Sequence, residues 1–216
     1  CDVGTSGGGW VLALQIAGGG GDGTFGYQAN YWTTGNVLNE VPPAALTNID
    51  AKYATFNTYV SQAGRILLID RETGHHTVLE IPGLTGNTLL DRFATLGKTN
   101  LVHISGQPSP QELMGYAPVS NLCGGAPSKW MMNMLSSHSG ARLGNDVATN
   151  DQVTNSTSSW SCYSGEGMNL AYSGVGGTLE SSRQWQDSYG SESLNRWRDN
   201  GGTGQGSHNG VAIFVQ

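Results

Sequence analysis

The chain has 216 residues, of which only 12% are charged, with a net charge of −6 and 33 glycines. That balance offers no basic field for nucleic acid and no polybasic stripe for an anionic membrane surface. No apolar run approaches the ~20 residues that span a bilayer.

In chain order, "GWVLALQI" (9–16) alternates poorly but has strand length and glycine boundaries, so it reads as a buried strand. "AGGGGDGTFGYQANYW" (17–32) is a Gly-rich turn running into aromatics; it lacks the spacing and downstream acid of a dinucleotide site. "NIDAKYATFNTY" (48–59) reads as a short helix capped by Asn48 or Asp50. "RILLID" and "HHTVLEI" flank "RETG" as a hairpin, with Gly74 supplying the permissive dihedral. "TGNTLLDRFATLG" carries Leu89, Leu90, Phe93 and Leu96 at helical spacing and ends at Gly97, a C-cap residue. "SPQELMGY" (109–116) starts a helix, with Pro110 at its first position and Glu112 at its third. "KWMMNML" (129–135) fits strand or helix, and "GVAIFVQ" (210–216) closes the chain as a strand.

Between Ser136 and Gly210 the sequence is mostly Gly, Ser, Asn and Asp and shows no apolar periodicity. It nevertheless holds Trp160, Tyr163, Tyr172, Trp185, Tyr189 and Trp197, and disordered segments are poor in aromatics. A disulfide or bound cations are the available means of ordering such a loop. Counting the three cysteines pairs Cys123 with Cys162 and leaves Cys1 for an upstream partner, so the sequence reads as the C-terminal part of a longer chain. Three reduced, buried thiols are the alternative.

Within "ARLGNDVATNDQ" (141–152), Asn145, Asp146, Asn150 and Asp151 crowd together. They make either a plain Asx-rich turn or an oxygen-donor set for a hard cation, of which calcium is the usual one. The spacing is not that of an EF-hand. Glu166 is a solvated turn residue or a further carboxylate of that site. His208, just before the last strand, is a hydrogen-bonding group at a site mouth or a bystander. Adjacent His75 and His76 belong to opposite strand faces and do not share a metal. No nucleophile elbow, zinc-protease helix or phosphate loop is present.

These stretches resemble a family. "CDVGTSGGGWVLAL" resembles the opening of fibrinogen C-terminal-like domains, and "TFGYQANYW" followed by "DAKYATFNTY" is similar to their bacterial and phage-borne members. "ARLGNDVATNDQ" is similar to the calcium-associated R-I-G...N-D...N-D loop of that superfamily, and "DNGG...GSHNGVAIFVQ" to the ending of intelectins. Two departures stand out. Gln152 occupies the place where relatives often carry a cysteine, and the Glu-His-His diol-binding pattern of intelectins is missing from the 145–170 loop. Cys1 matches a family cysteine that pairs with an earlier one.

The resemblance implies an α+β fold in one domain over 1–216. A twisted, mainly antiparallel sheet and short helices would carry a large calcium-ordered C-terminal loop region. It further implies a secreted, non-enzymatic, lectin-like adhesin at the surface of a cell or virion, able to form homo-oligomers in a pilus or tail fibre. Calcium would be held by Asn145, Asp146, Asn150 and Asp151, with Glu166 or Asp199. A cell-surface glycan, lipopolysaccharide or glycoprotein, would lie against Trp160, Tyr163, Trp185 or Trp197 and bond to His208 and Asn209. A fibre-assembly module with purely structural calcium is the second reading. A glycan hydrolase is the third, and it needs two of Glu166, Glu180, Asp187 and Glu192 about 5–10 Å apart.

Overall fold

The computed structural model describes residues 7–16, 24–25, 29–40, 49–60, 64–71, 74–97, 99–104, 129–135, 139–146, 172–175, 178–179 and 210–216. These residues form two antiparallel sheets and one short helix, an α+β arrangement.

The larger sheet has the order β2-β1-β11-β3-β4-β6. Its strands are β1 (Val11–Ile16), β2 (Ala51–Lys52), β3 (Arg65–Asp70), β4 (His76–Glu80), β6 (Val102–His103) and β11 (Val211–Val215). The last strand is therefore an interior one, pairing with β1 on one side and β3 on the other. All five of its residues are buried. Val211, Ile213 and Val215 join the main core, while Ala212 and Phe214 join a smaller cluster with Trp10, Leu12, Ala51, Tyr53, Leu67 and Val78. Burial on both faces explains the continuous apolar runs in β3 and β11. A register shift between Leu12 and Leu14 sends both Ala13 and Leu14 to the main core, which is why "GWVLALQI" alternates poorly.

The hairpin β3–β4 forms as expected. Arg65 stands opposite Glu80 and forms an ion pair with it at 3.1 Å, and Gly74 takes φ +72 at the turn. The helix α1 (Leu89–Thr95) also forms where the spacing placed it, buries Leu89 and Phe93, and starts at Thr88. There the Thr88 hydroxyl accepts from the Asp91 N–H at 2.9 Å and the Asp91 carboxylate accepts from the Thr88 N–H at 3.1 Å, a reciprocal capping box. The C-cap is Leu96, one residue before the expected Gly97.

The expected helix over 48–59 is a strand followed by a tight turn. Ala51 and Lys52 pair with β1, and Lys52 also exchanges both backbone hydrogen bonds with Leu38. A 3-10 turn, Ala54–Asn57, follows. Ala51, Tyr53, Phe56 and Val60 suit a helical period, but β1 and Leu38 offer this backbone partners on both sides, and the sheet takes it.

The second sheet has the order β10-β8-β7-β5, with β9 also paired to β8. Its strands are β5 (Thr99–Asn100), β7 (Lys129–Leu135), β8 (Ser139–Asp146), β9 (Tyr172–Val175) and β10 (Thr178–Leu179). "KWMMNML" is thus a strand. The stretch from Ser136 to Gly210, read from its lack of apolar periodicity as a loop, contributes β8, β9 and β10 among the described residues. β9 and β10 run along one edge of β8 in a single register, Tyr172 opposite Asp146 and Leu179 opposite Ser139. The extended segment 99–103 joins the two sheets. β5 pairs with β7, β6 pairs with β4, and between them the Leu101 N–H bonds the Trp130 carbonyl at 2.9 Å. Trp130, Met132 and Leu143 of this sheet complete the main core beside Phe56, Phe93 and Trp32.

Candidate functional site

The second sheet carries the part of the expected cation site that the structure places. Asn145 and Asp146 are the last two residues of β8, so the Asn-Asp-rich stretch opens as paired strand rather than as turn. β8 is held from both sides. Lys129 and Tyr172 stand opposite Asp146, and Trp130 and Ser173 stand opposite Asn145. The chain leaves β8 at the point where β7 begins and β9 begins, which gathers three chain segments at one end of the sheet.

Asn150, Asp151, Glu166 and Asp199 of the expected cation set lie outside the described residues, as do Trp160, Tyr163, Trp185, Trp197, His208 and Asn209 of the expected glycan set. Cys123 and Cys162 also lie outside them, as does the expected helix at 109–116. Among the described residues no group of three or more His, Cys, Asp or Glu side chains stands close enough to hold a metal. Gly210, which follows His208 and Asn209, is anchored by the Arg71 N–H to its carbonyl at 2.8 Å. The same arginine reaches the Ile16 carbonyl at 3.5 Å with Nη1. The chain therefore enters β11 beside the β3–β4 turn and the end of β1.

Two polar side chains in the core were not singled out by the sequence. Lys52 has no exposed surface. Its Nζ donates to the Tyr31 carbonyl at 2.7 Å and the Thr34 carbonyl at 2.5 Å, and lies 4.5 Å from the centre of the Phe56 ring. Burial pushes its pKa down to about 8. Asn133 interrupts the apolar run of β7 at φ +51. Its Nδ2 donates to the Phe93 and Leu96 carbonyls at 3.1 and 2.7 Å, and its Oδ1 accepts from Arg142 Nη1 at 2.9 Å. The signal for both is one of position. Each is a polar residue between apolar neighbours in a stretch that otherwise reads as core.

On the other face of the larger sheet, the Tyr53 hydroxyl is buried with no hydrogen-bond partner among the described residues. Burial raises its pKa, the Glu40 carboxylate raises it further, and Arg71 opposes both. These groups bring together neither a nucleophile and base nor paired carboxylates. Comparison with known proteins finds no matching family model, no matching curated protein and no matching solved structure.

Proposed function

We propose that this chain is an extracellular, calcium-stabilised, lectin-like recognition domain of the fibrinogen C-terminal-like type. It would bind cell-surface glycan, lipopolysaccharide or glycoprotein, from the tip of a pilus, fibre or surface protein. The observation that supports this most is where the Asn-Asp stretch begins. It leaves the end of β8, whose sequence "SGARLGND", like the "YSGV" of its partner β9, holds few large apolar residues. A loop that continues from so polar a strand into Asn and Asp calls for another ordering term, and oxygen donors without His or Cys suit calcium.

In this reading Asn145, Asp146, Asn150 and Asp151 hold the cation, with Glu166 or Asp199 completing the set. Cys123 and Cys162 close the loop by a disulfide. The sugar stacks on one of Trp160, Tyr163, Trp185 and Trp197 and bonds to His208 and Asn209. A glycan array run with calcium and again with chelator tests it. Glycan retained only with calcium is the expected result. A domain that binds no glycan while its stability still depends on calcium would transfer the reading to a fibre-assembly module.

A further inference from the structure

Lys52 is the one fully buried lysine among the described residues, and no carboxylate pairs with it there. It closes the 3-10 turn Asn30–Trp32 from below, holding the carbonyls of Tyr31 and Thr34. Phe56 forms one wall of its site, and Phe56 in turn stacks on Phe93 of α1 at 5.6 Å. Among the described residues, the ionisable groups on the elements around it are Tyr31, Glu40, Asp50, Tyr53, Asp91 and Arg92. Glu40 already accepts the Ala54 N–H at 2.6 Å, and Asp91 is engaged in the α1 cap. We propose that Lys52 is a proton-linked latch on the turn over residues 30–34, which closes more firmly once the buried ammonium has lost its proton.

Burying a charge that no described carboxylate balances is costly, and that desolvation moves Lys52 down to about 8. When the turn opens, the amine meets water and regains an ordinary lysine value of about 10.4. Between those two values the open state binds more protons than the closed one, so closing becomes more favourable as pH rises through that window. The gain is complete above the open-state value and is lost as pH falls through the closed-state value. Below it both states are protonated and the dependence vanishes. A neutral amine still has two N–H donors, enough for the carbonyls of Tyr31 and Thr34. The hydrogen bonds therefore survive deprotonation while the desolvation cost disappears.

Trp32 reports the turn directly, because its indole N–H donates to the Phe25 carbonyl at 3.0 Å. Indole hydrogen exchange, corrected for the intrinsic base-catalysed rate, should show protection rising about tenfold per pH unit through the window. At pH 7 that protection should be lower than for the amides of β11, since the turn opens without the sheet. Lys52→Arg, whose guanidinium stays charged throughout, should give a flat profile, as should Lys52→Met. A flat wild-type profile, an unchanged slope in Lys52→Arg, or indole protection equal to that of β11 at every pH would overturn the latch. If neither variant folds, the carbon-13 titration of the Lys52 Cε in the wild-type chain decides: a midpoint near 8 upholds it, and one near 10.4 overturns it.

Discussion

Gly64 and Gly74 both take left-handed φ, +64 and +72, for different reasons. Gly74 sits at the β3–β4 turn, where its N–H bonds the Asp70 carbonyl at 2.8 Å and an added Cβ would meet nothing within 4 Å. Only the dihedral resists substitution there, at about 1–2 kcal/mol. At Gly64 the same Cβ would lie 2.8 Å from the Thr85 hydroxyl and 3.1 Å from the Thr85 backbone nitrogen. That loop has little freedom to retreat. Val60 bonds the Asn87 carbonyl, Gly86 bonds the Val60 carbonyl, and Ile81 bonds the Gly64 carbonyl itself. Gly74→Ala should therefore lower the urea midpoint slightly, and Gly64→Ala should lower it by clearly more. Adding Thr85→Ala should recover only part of the second loss, because the backbone contact remains. Equal losses at the two glycines would remove the close-approach argument. Gly74 is visible in the sequence because its turn is local. Gly64 is not, because the neighbour that demands a glycine is twenty-one residues away.

The helix α1 depends on a strand for its ending. Asn133 uses its amide to satisfy the Phe93 and Leu96 carbonyls, two of the groups that a helix C-terminus leaves without intrahelical partners. Its carbonyl oxygen takes the guanidinium of Arg142 from the neighbouring strand. Asn tolerates the left-handed backbone found there better than other residues with a side chain. Asn133→Gly keeps that backbone and deletes three hydrogen bonds at a site only 6% exposed. It should cost about 2–4 kcal/mol, since each buried group left unsatisfied costs about 1–3 kcal/mol. Guanidinium unfolding of the two proteins measures this, and a loss under about 1 kcal/mol would mean that water replaces the amide without penalty. The elements legible in the sequence share one property: β1, β3, β4 and β11 are apolar and locally bounded, and α1 combines helical spacing with a cap of its own. β2 was misread because its partners, β1 and Leu38, are far along the chain. β8, β9 and β10 were missed because strands rich in Gly, Ser and Asn are held by pairing with neighbours more than by an alternating apolar face.

At the scale of the molecule, the larger sheet is completed only when the C-terminal strand inserts between β1 and β3. The Gln216 amide then bonds the Gly8 carbonyl at 2.7 Å, across 208 residues of chain. Long-range closure of this kind costs chain entropy before it returns contacts. The larger sheet has two buried clusters to offset that cost. The sequence after β8 is rich in Gly, Ser, Asn and Asp, and on the proposed reading a bound divalent cation, which its Asn and Asp residues suit, supplies the ordering term. A ligand that binds only the folded state stabilises it by about 2.7 kcal/mol at a hundredfold excess over its dissociation constant. For a chain of this length that is a rise in melting temperature of about 5–10 °C. Millimolar calcium should produce such a rise, EDTA should reverse it, and Asp151→Ala or Asp146→Ala should abolish the difference. A melting curve indifferent to EDTA, with no metal in X-ray fluorescence, would leave the stretch after β8 a plain turn.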